Sequence, residues 1–192
     1  MKSFAAALLF STTVLPAGAI AADFPAERII AMASGDWNKD GTADLAVIAT
    51  PENDGDDNGL YVYLAKPNES RLTVALSLPN AVWGSLTLFG QEPELAALAN
   101  GSFTLSTKNE TIGRDRWRQS LTIAYRNFDF IVAGYTFTSY DTLNPDGGQE
   151  CDLNVLTGKG KSSGRPVAGQ AQFVLLKDWK DDIGRSICGL DN

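Results

Sequence analysis

Asp36, Asn38, Asp40 and Asp44 stand at positions 1, 3, 5 and 9 of the stretch Asp36-Trp37-Asn38-Lys39-Asp40-Gly41-Thr42-Ala43-Asp44, with Gly41 at position 6. Side-chain oxygens at alternate positions of a short loop can converge on one hard cation, and a glycine supplies the sharp bend this requires. Three carboxylates placed this close repel one another unless a cation lies between them. These residues therefore point to calcium. An EF-hand would carry a bidentate glutamate at position 12 and a helix on either side. Counted from Asp36, position 12 is Val47, and the flanks read as strands. The loop follows another template.

The 192 residues include no histidine, which narrows the alternatives. Ser-His-Asp and Cys-His triads are excluded, as are the usual histidine-rich zinc sites. Catalysis would need a carboxylate pair, a lysine or tyrosine base, or the metal. Nothing singles out two of the 23 acidic residues for such work, so no catalytic residue is assigned.

Four other groups could carry chemistry. Arg114-Asp115-Arg116-Trp117-Arg118 mixes cations with an aromatic and could grip a phosphate or an acidic partner. In a strand, Arg116 and Arg118 share one face and Trp117 takes the other, which describes a solvated face over a core tryptophan. Trp83, Trp117 and Trp179, with Tyr61, Tyr63, Tyr135 and Tyr140, could form a sugar-stacking platform, though aromatics in a small β-domain more often fill the core. Asp178, Asp181 and Asp182, interleaved with Lys177 and Lys180, read as a solvated turn. Residues 158–164, Gly-Lys-Gly-Lys-Ser-Ser-Gly, lack the spacing of a phosphate loop and the helix that should follow one.

Strands must position these groups. Residues 28–33, 45–50, 59–64, 71–76, 102–106, 120–125, 128–137, 152–156 and 172–176 read as strands from apolar runs or period-two alternation. Asn100-Gly101 signals a hairpin, Arg126-Asn127 a tight turn, and Asn144-Pro145-Asp146-Gly147-Gly148 a wider turn. Only residues 92–99 read as helical. Strands at short intervals with turn cues between them predict an antiparallel all-β fold.

Residues 1–21 read as an export signal, with Lys2 as the positive n-region, an apolar stretch over 4–15, and Ala19-Ile20-Ala21 as the cleavage site. Residues 22–192 then form a single domain, expected to be periplasmic or secreted. No later stretch is long and apolar enough for a membrane helix, so no membrane insertion is expected. With 16 basic against 23 acidic residues the formal net charge is −7, which argues against nucleic-acid binding. In an oxidising compartment the two cysteines, Cys151 and Cys188, are expected to pair and to tie the C-terminal tail to the body.

The pattern Asp36-x-Asn38-x-Asp40-Gly41-x-x-Asp44-Leu45, preceded by an apolar strand and Gly35, resembles the FG-GAP/VCBS-type repeat of integrin α-chain propellers and many secreted bacterial proteins. The resemblance covers residues 28–64. It implies that the loop joins two strands of a propeller blade. It also implies that Asp36, Asn38, Asp40 and Asp44 hold Ca²⁺ with their side chains and Thr42 with its carbonyl. The sequence carries one full copy. Asp54-x-Asp56-x-Asn58-Gly59 matches only the first six positions and has Val62 where the last aspartate would stand, so it reads as a solvated hairpin. The downstream half, from Arg116-Trp117 through Tyr125 to Gly134-Tyr135, is similar to the later part of small exported bacterial proteins that begin with one such loop.

The expected architecture is therefore antiparallel meander sheets resembling propeller blades, an incomplete propeller, with a β-sandwich as the alternative. The expected function is a non-enzymatic, calcium-stabilised module that binds another envelope or extracellular protein, in the manner of an inhibitor or immunity protein. The alternative is a carbohydrate-binding or carbohydrate-cleaving protein that uses surface aromatics and a carboxylate pair.

Overall fold

A computed structural model describes residues 26–69 and 71–190. The expected export signal, residues 1–21, lies outside the described residues. After a single 3-10 turn, Ala26–Arg28, four strands follow in sequence: β1 (Ile29–Gly35), β2 (Asp44–Ala49), β3 (Asn58–Ala65) and β4 (Leu72–Val82). They form an antiparallel meander in chain order. Their register aligns Ala33, Ala46, Val62 and Leu76 in one cross-strand row, and Ala31, Ile48, Leu60 and Leu78 in the next. Side chains alternate between faces with period two, so both rows share one side of the sheet, and that side is the buried one.

The larger sheet is a second meander, made of β5 (Glu94–Leu98), β6 (Ser102–Asn109), β7 (Asp115–Arg126), β8 (Asp129–Asp141), β9 (Asn144–Asn154), β10 (Lys159–Ser162) and β11 (Arg165–Ala168). A two-residue strand, β12 (Val174–Leu175), pairs with Ile131 and Val132 of β8, where β9 does not reach. Leu95, Leu105, Leu121, Tyr135 and Leu153 make one row on the inner face. One residue along, Ser106, Ser120, Thr136 and Asp152 make a polar row on the outer face. The two inner faces share one core, whose largest fully buried side chains are Trp37, Tyr135, Phe103 and Phe130. The edge strands β1 and β5 come together along one side. The fold is all-β and antiparallel, with no closed barrel among the described residues, an arrangement consistent with a sandwich or with incomplete propeller-like meanders.

Behind β12 the chain makes a 3-10 turn, Leu176–Asp178, and a short helix α1 (Asp181–Ile187). The α1 helix lies on the ring of Tyr135 so closely that a Cβ at Gly184 would fall 2.7 Å from it. The Cys151–Cys188 disulfide is formed as expected: it joins β9 to the residue that caps α1, with Cα atoms 6.0 Å apart. The Ser162 hydroxyl donates to the Cys188 carbonyl at 2.8 Å, and Leu190 is buried in the core beyond it.

Four local expectations need correction. Residues 92–99 are not helical: Glu94–Leu98 is strand β5, because the Asn100-Gly101 turn folds it onto β6, and pairing outweighs the helix propensity of Glu, Leu and Ala. The wide turn expected at 144–148 is instead the start of β9. The chain reverses at Thr142 and Leu143, where the Leu143 amide donates to the Asp141 carboxylate at 2.9 Å. Asp181 and Asp182 open α1 rather than a solvated turn. The strand expected over 172–176 shrinks to Val174–Leu175.

Candidate functional site

The acidic loop, residues 36–43, joins β1 to β2 as a hairpin in which Gly35 faces Asp44 across the ladder. The Asp36 carboxylate accepts the backbone N–H groups of Asp40 at 3.0 Å and Gly41 at 2.9 Å. Asn38 Oδ1 accepts the Asp40 amide at 3.1 Å, while its Nδ2 donates to Asp40 Oδ2 at 2.9 Å. The Thr42 hydroxyl and amide both donate to Asp40 Oδ1, and the hydroxyl bond is the main reason the Asp40 carboxyl lies below its ordinary range. Gly41 has φ +87°, the left-handed conformation the bend requires.

Asp44 plays a different part. It is 1 % exposed, and its two oxygens accept the amides of Trp37 at 2.8 Å and Ala65 at 2.9 Å. Burial pushes its carboxyl above the ordinary range, against the pull of those amides. Asp44 thus ties the loop to the end of β3 as well as closing the motif.

Trp37, at position 2 of the loop, is also 1 % exposed. It leaves the exposed loop and enters the core, so close beneath Gly35 that a Cβ there would lie 2.3 Å from its ring. The loop rests on the β5–β6 turn as well. A Cβ at Gly101 would come within 3.1 Å of the Asp36 carbonyl oxygen and 3.3 Å of Lys39 Cε.

Among the described residues no three histidine, cysteine or acidic side chains are gathered as a metal cage. The donor chemistry of the loop nonetheless suits a hard cation: the exposed carboxylate of Asp40, the half-buried one of Asp36, a carboxamide oxygen and backbone carbonyls. A carboxylate oxygen that accepts one N–H keeps a lone pair for a second interaction, so the bonds to Asp36 and Asp44 do not exhaust them. The side chains stand in a hydrogen-bonded arrangement rather than a converged one. The second acidic loop differs at its last polar residue. Asn58 is buried, and its Nδ2 donates to the carbonyls of Val82 at 3.0 Å and Gly84 at 2.9 Å, bracing β3 against the end of β4.

At the opposite end of β6 the surface changes character. Three connections, residues 83–93, 109–114 and 141–144, are tied together. The Glu110 amide donates to the Gly90 carbonyl at 2.9 Å, the Thr111 hydroxyl to the Phe89 carbonyl, and the Thr142 amide to the Arg114 carbonyl at 2.9 Å. They expose Leu86, Leu88, Phe89 at 86 %, Ile112 and Leu143 at 76 %. Spacing alone did not reveal this group. The one signal was the presence of large apolar residues in stretches that carry no strand periodicity.

The arginine-rich segment lies beside this end, with Trp117 and Arg118 on opposite faces as expected, but Arg116 is half-buried, its Nη1 buried with no partner among the described residues, and its part of the face is not solvated. Trp117 packs inward against Trp83, ring centroids 4.9 Å apart, and Arg118 is exposed. Two of its cations already have partners, Arg114 with Asp141 and Arg118 with Glu110 at 2.6 Å. The Tyr140 hydroxyl donates to the second Glu110 oxygen at 2.8 Å. Arg118 chiefly, with Tyr140, holds the Glu110 carboxyl below its ordinary range against its partial burial. The expected aromatic platform is divided. Tyr135 is fully buried, Tyr140 is held by Glu110, and Trp83 and Trp179 line one cleft between the two sheets.

No family model matches this chain, and no curated protein or solved structure does so either. Among the described residues no helix is long and apolar enough to cross a membrane.

Proposed function

We propose that this chain is an exported, calcium-stabilised β-domain without catalytic activity, which binds another envelope or extracellular protein. The carrying observation is the group of exposed apolar side chains Leu86, Leu88, Phe89, Ile112 and Leu143 on three connections bonded in series. Grouped exposure of large apolar side chains marks interaction surfaces, whereas single exposed ones do not. The resemblance of the 36–44 loop to the FG-GAP/VCBS-type repeat, and its position in a β-hairpin, support calcium as a structural ion. Asp36, Asn38, Asp40, the Thr42 carbonyl and Asp44 are its ligands in this reading. The metal-type loop packs on the turn that begins β6, and the apolar connections start where β6 ends. Eight residues of strand separate them, about 25 Å. The ion therefore steadies the fold and does not touch the partner.

The test is co-purification of a discrete complex from the native envelope, using wild type, Phe89→Asp and Leu143→Asp. Both variants should keep the wild-type melting temperature and lose the complex. Retention of the complex by both would place the partner elsewhere on the molecule.

A second reading, recognition of carbohydrate, is favoured by one observation: Trp83 and Trp179, two of the three tryptophans singled out for stacking, line the same cleft.

A further inference from the structure

Between the two meanders, near the junction of β4 with the 83–93 connection, lies a cleft of about 560 Å³, within the range of small-ligand sites. Leu60 of the smaller sheet and Leu105 and Leu121 of the larger one supply its apolar lining, and Trp83 and Trp179 add aromatic surface. Thr107 and Gln119, paired across β6 and β7, add a hydroxyl and an amide beside those leucines. The Gln119 amide nitrogen donates to Asp181 at 2.8 Å, which orients the side chain. The four charged residues at the cleft, Asp57, Asp181, Lys177 and Lys180, sum to zero formal charge.

Two buried donors near this cleft have no hydrogen-bond partner among the described residues. One is the indole N–H of Trp179. The other is the hydroxyl of Tyr135, whose ring centroid lies 5.7 Å from that of Trp179 and whose side chain is fully buried. Both atoms are closed off within the fold rather than open to the cleft, so the uncharged polar side chains available to a ligand there are those of Thr107 and Gln119. A charged ligand would need an excess of the opposite charge, and an acyl chain would leave the Thr107 hydroxyl and the Gln119 amide unused. A sugar ring satisfies both requirements, with C–H faces for the indoles and hydroxyls for the polar groups.

We propose that this cleft binds one ring of a neutral sugar, stacked on Trp83 or Trp179 and hydrogen-bonded by Thr107 and Gln119. The proposal rests on the second reading above, that the protein recognises carbohydrate. Tryptophan fluorescence and calorimetry on the full chain, titrated in separate arms with chitobiose, maltose and galacturonic acid, test it. A neutral sugar should give saturable binding in the millimolar range. Trp83→Ala and Thr107→Val should each weaken it about tenfold. Gln119→Glu, close in shape to the native residue, keeps the test open if either variant unfolds, and should weaken binding through repulsion from Asp181. Neutral-sugar binding unchanged in all folded variants would overturn this site while leaving the carbohydrate reading standing. Binding of galacturonic acid alone would overturn the assignment of a neutral ligand. No saturable binding in any arm would overturn both the site and the reading.

Discussion

The indole of Trp37 lies against the ring of Phe103, with centroids 5.1 Å apart and planes inclined by 48°. Trp37 belongs to the loop of the smaller sheet and Phe103 to β6 of the larger one, so this aromatic pair joins the packing on the β5–β6 turn in fixing the acidic loop to the opposite sheet. Trp37→Ala should cost about 3–5 kcal/mol in urea denaturation, the range for emptying a large buried aromatic site. Gly35→Ala should also destabilise, because its methyl would need the space that the Trp37 ring fills. A loss below about 1 kcal/mol for Trp37→Ala would mean that the loop is held by its hydrogen bonds alone.

Calcium should add modestly to this framework. Extracellular sites of this kind bind at about 0.1–1 mM, so with about 1 mM calcium the tighter end of that range adds roughly 1.4 kcal/mol. Differential scanning calorimetry should then show a rise of about 3–6 °C in melting temperature, reversed by chelator. Asp40→Ala should abolish that response. Because the apolar connections lie at the other end of β6, the same variant should retain the partner when measured well below its melting temperature.

The disulfide closes a loop with a sequence separation of 37 residues and holds α1 and Leu190 against the core. On the chain-entropy model such a crosslink stabilises by roughly 4 kcal/mol. Cys151→Ser with Cys188→Ser should lower the urea midpoint accordingly without changing the strand content seen by circular dichroism.

Acid should weaken the fold in a defined window. The folded-state carboxyls of Glu110 and Asp141 lie below their ordinary values, held there chiefly by hydrogen bonds from Arg118 and Arg114. A depressed carboxyl adds stability that is present above its unfolded value and is lost as pH falls through the folded one. Melting temperature should therefore fall between about pH 5 and about pH 3. Glu110→Gln should make that fall shallower. High salt should flatten it further, since both groups lie at the surface.

Much of the fold was legible because the sheets alternate cleanly. The run through Leu121 and Ile123 faces the core while Ser120 and Thr122 face outward, and period two detects such a strand without knowledge of its neighbours. Segments that depend on a partner were misread. Glu94–Leu98 is built of helix formers and becomes a strand only through β6. The Lys159–Ser162 and Arg165–Ala168 hairpin is too short and too rich in lysine, glycine and serine to show a pattern, and it forms because β9 offers an edge. The acidic loop was visible from oxygen spacing, but Trp37 was not, since one aromatic inside a polar loop gives no period. The apolar connections were hidden for a related reason. Leu86, Phe89 and Leu143 look like core residues until the register shows that no strand covers them.

The pairing of β12 with β8 bears on how the nascent chain matures. Ile131 and Val132 lie in the central strand of the larger sheet, yet one of their flanks is completed only by Val174 and Leu175, some forty residues later in the chain. Until the ribosome releases those residues, an apolar backbone edge stands open in the middle of the sheet instead of at its margin. Such an edge invites pairing with other chains. Truncations that stop short of Val174 should thus aggregate rather than merely lose a terminal helix.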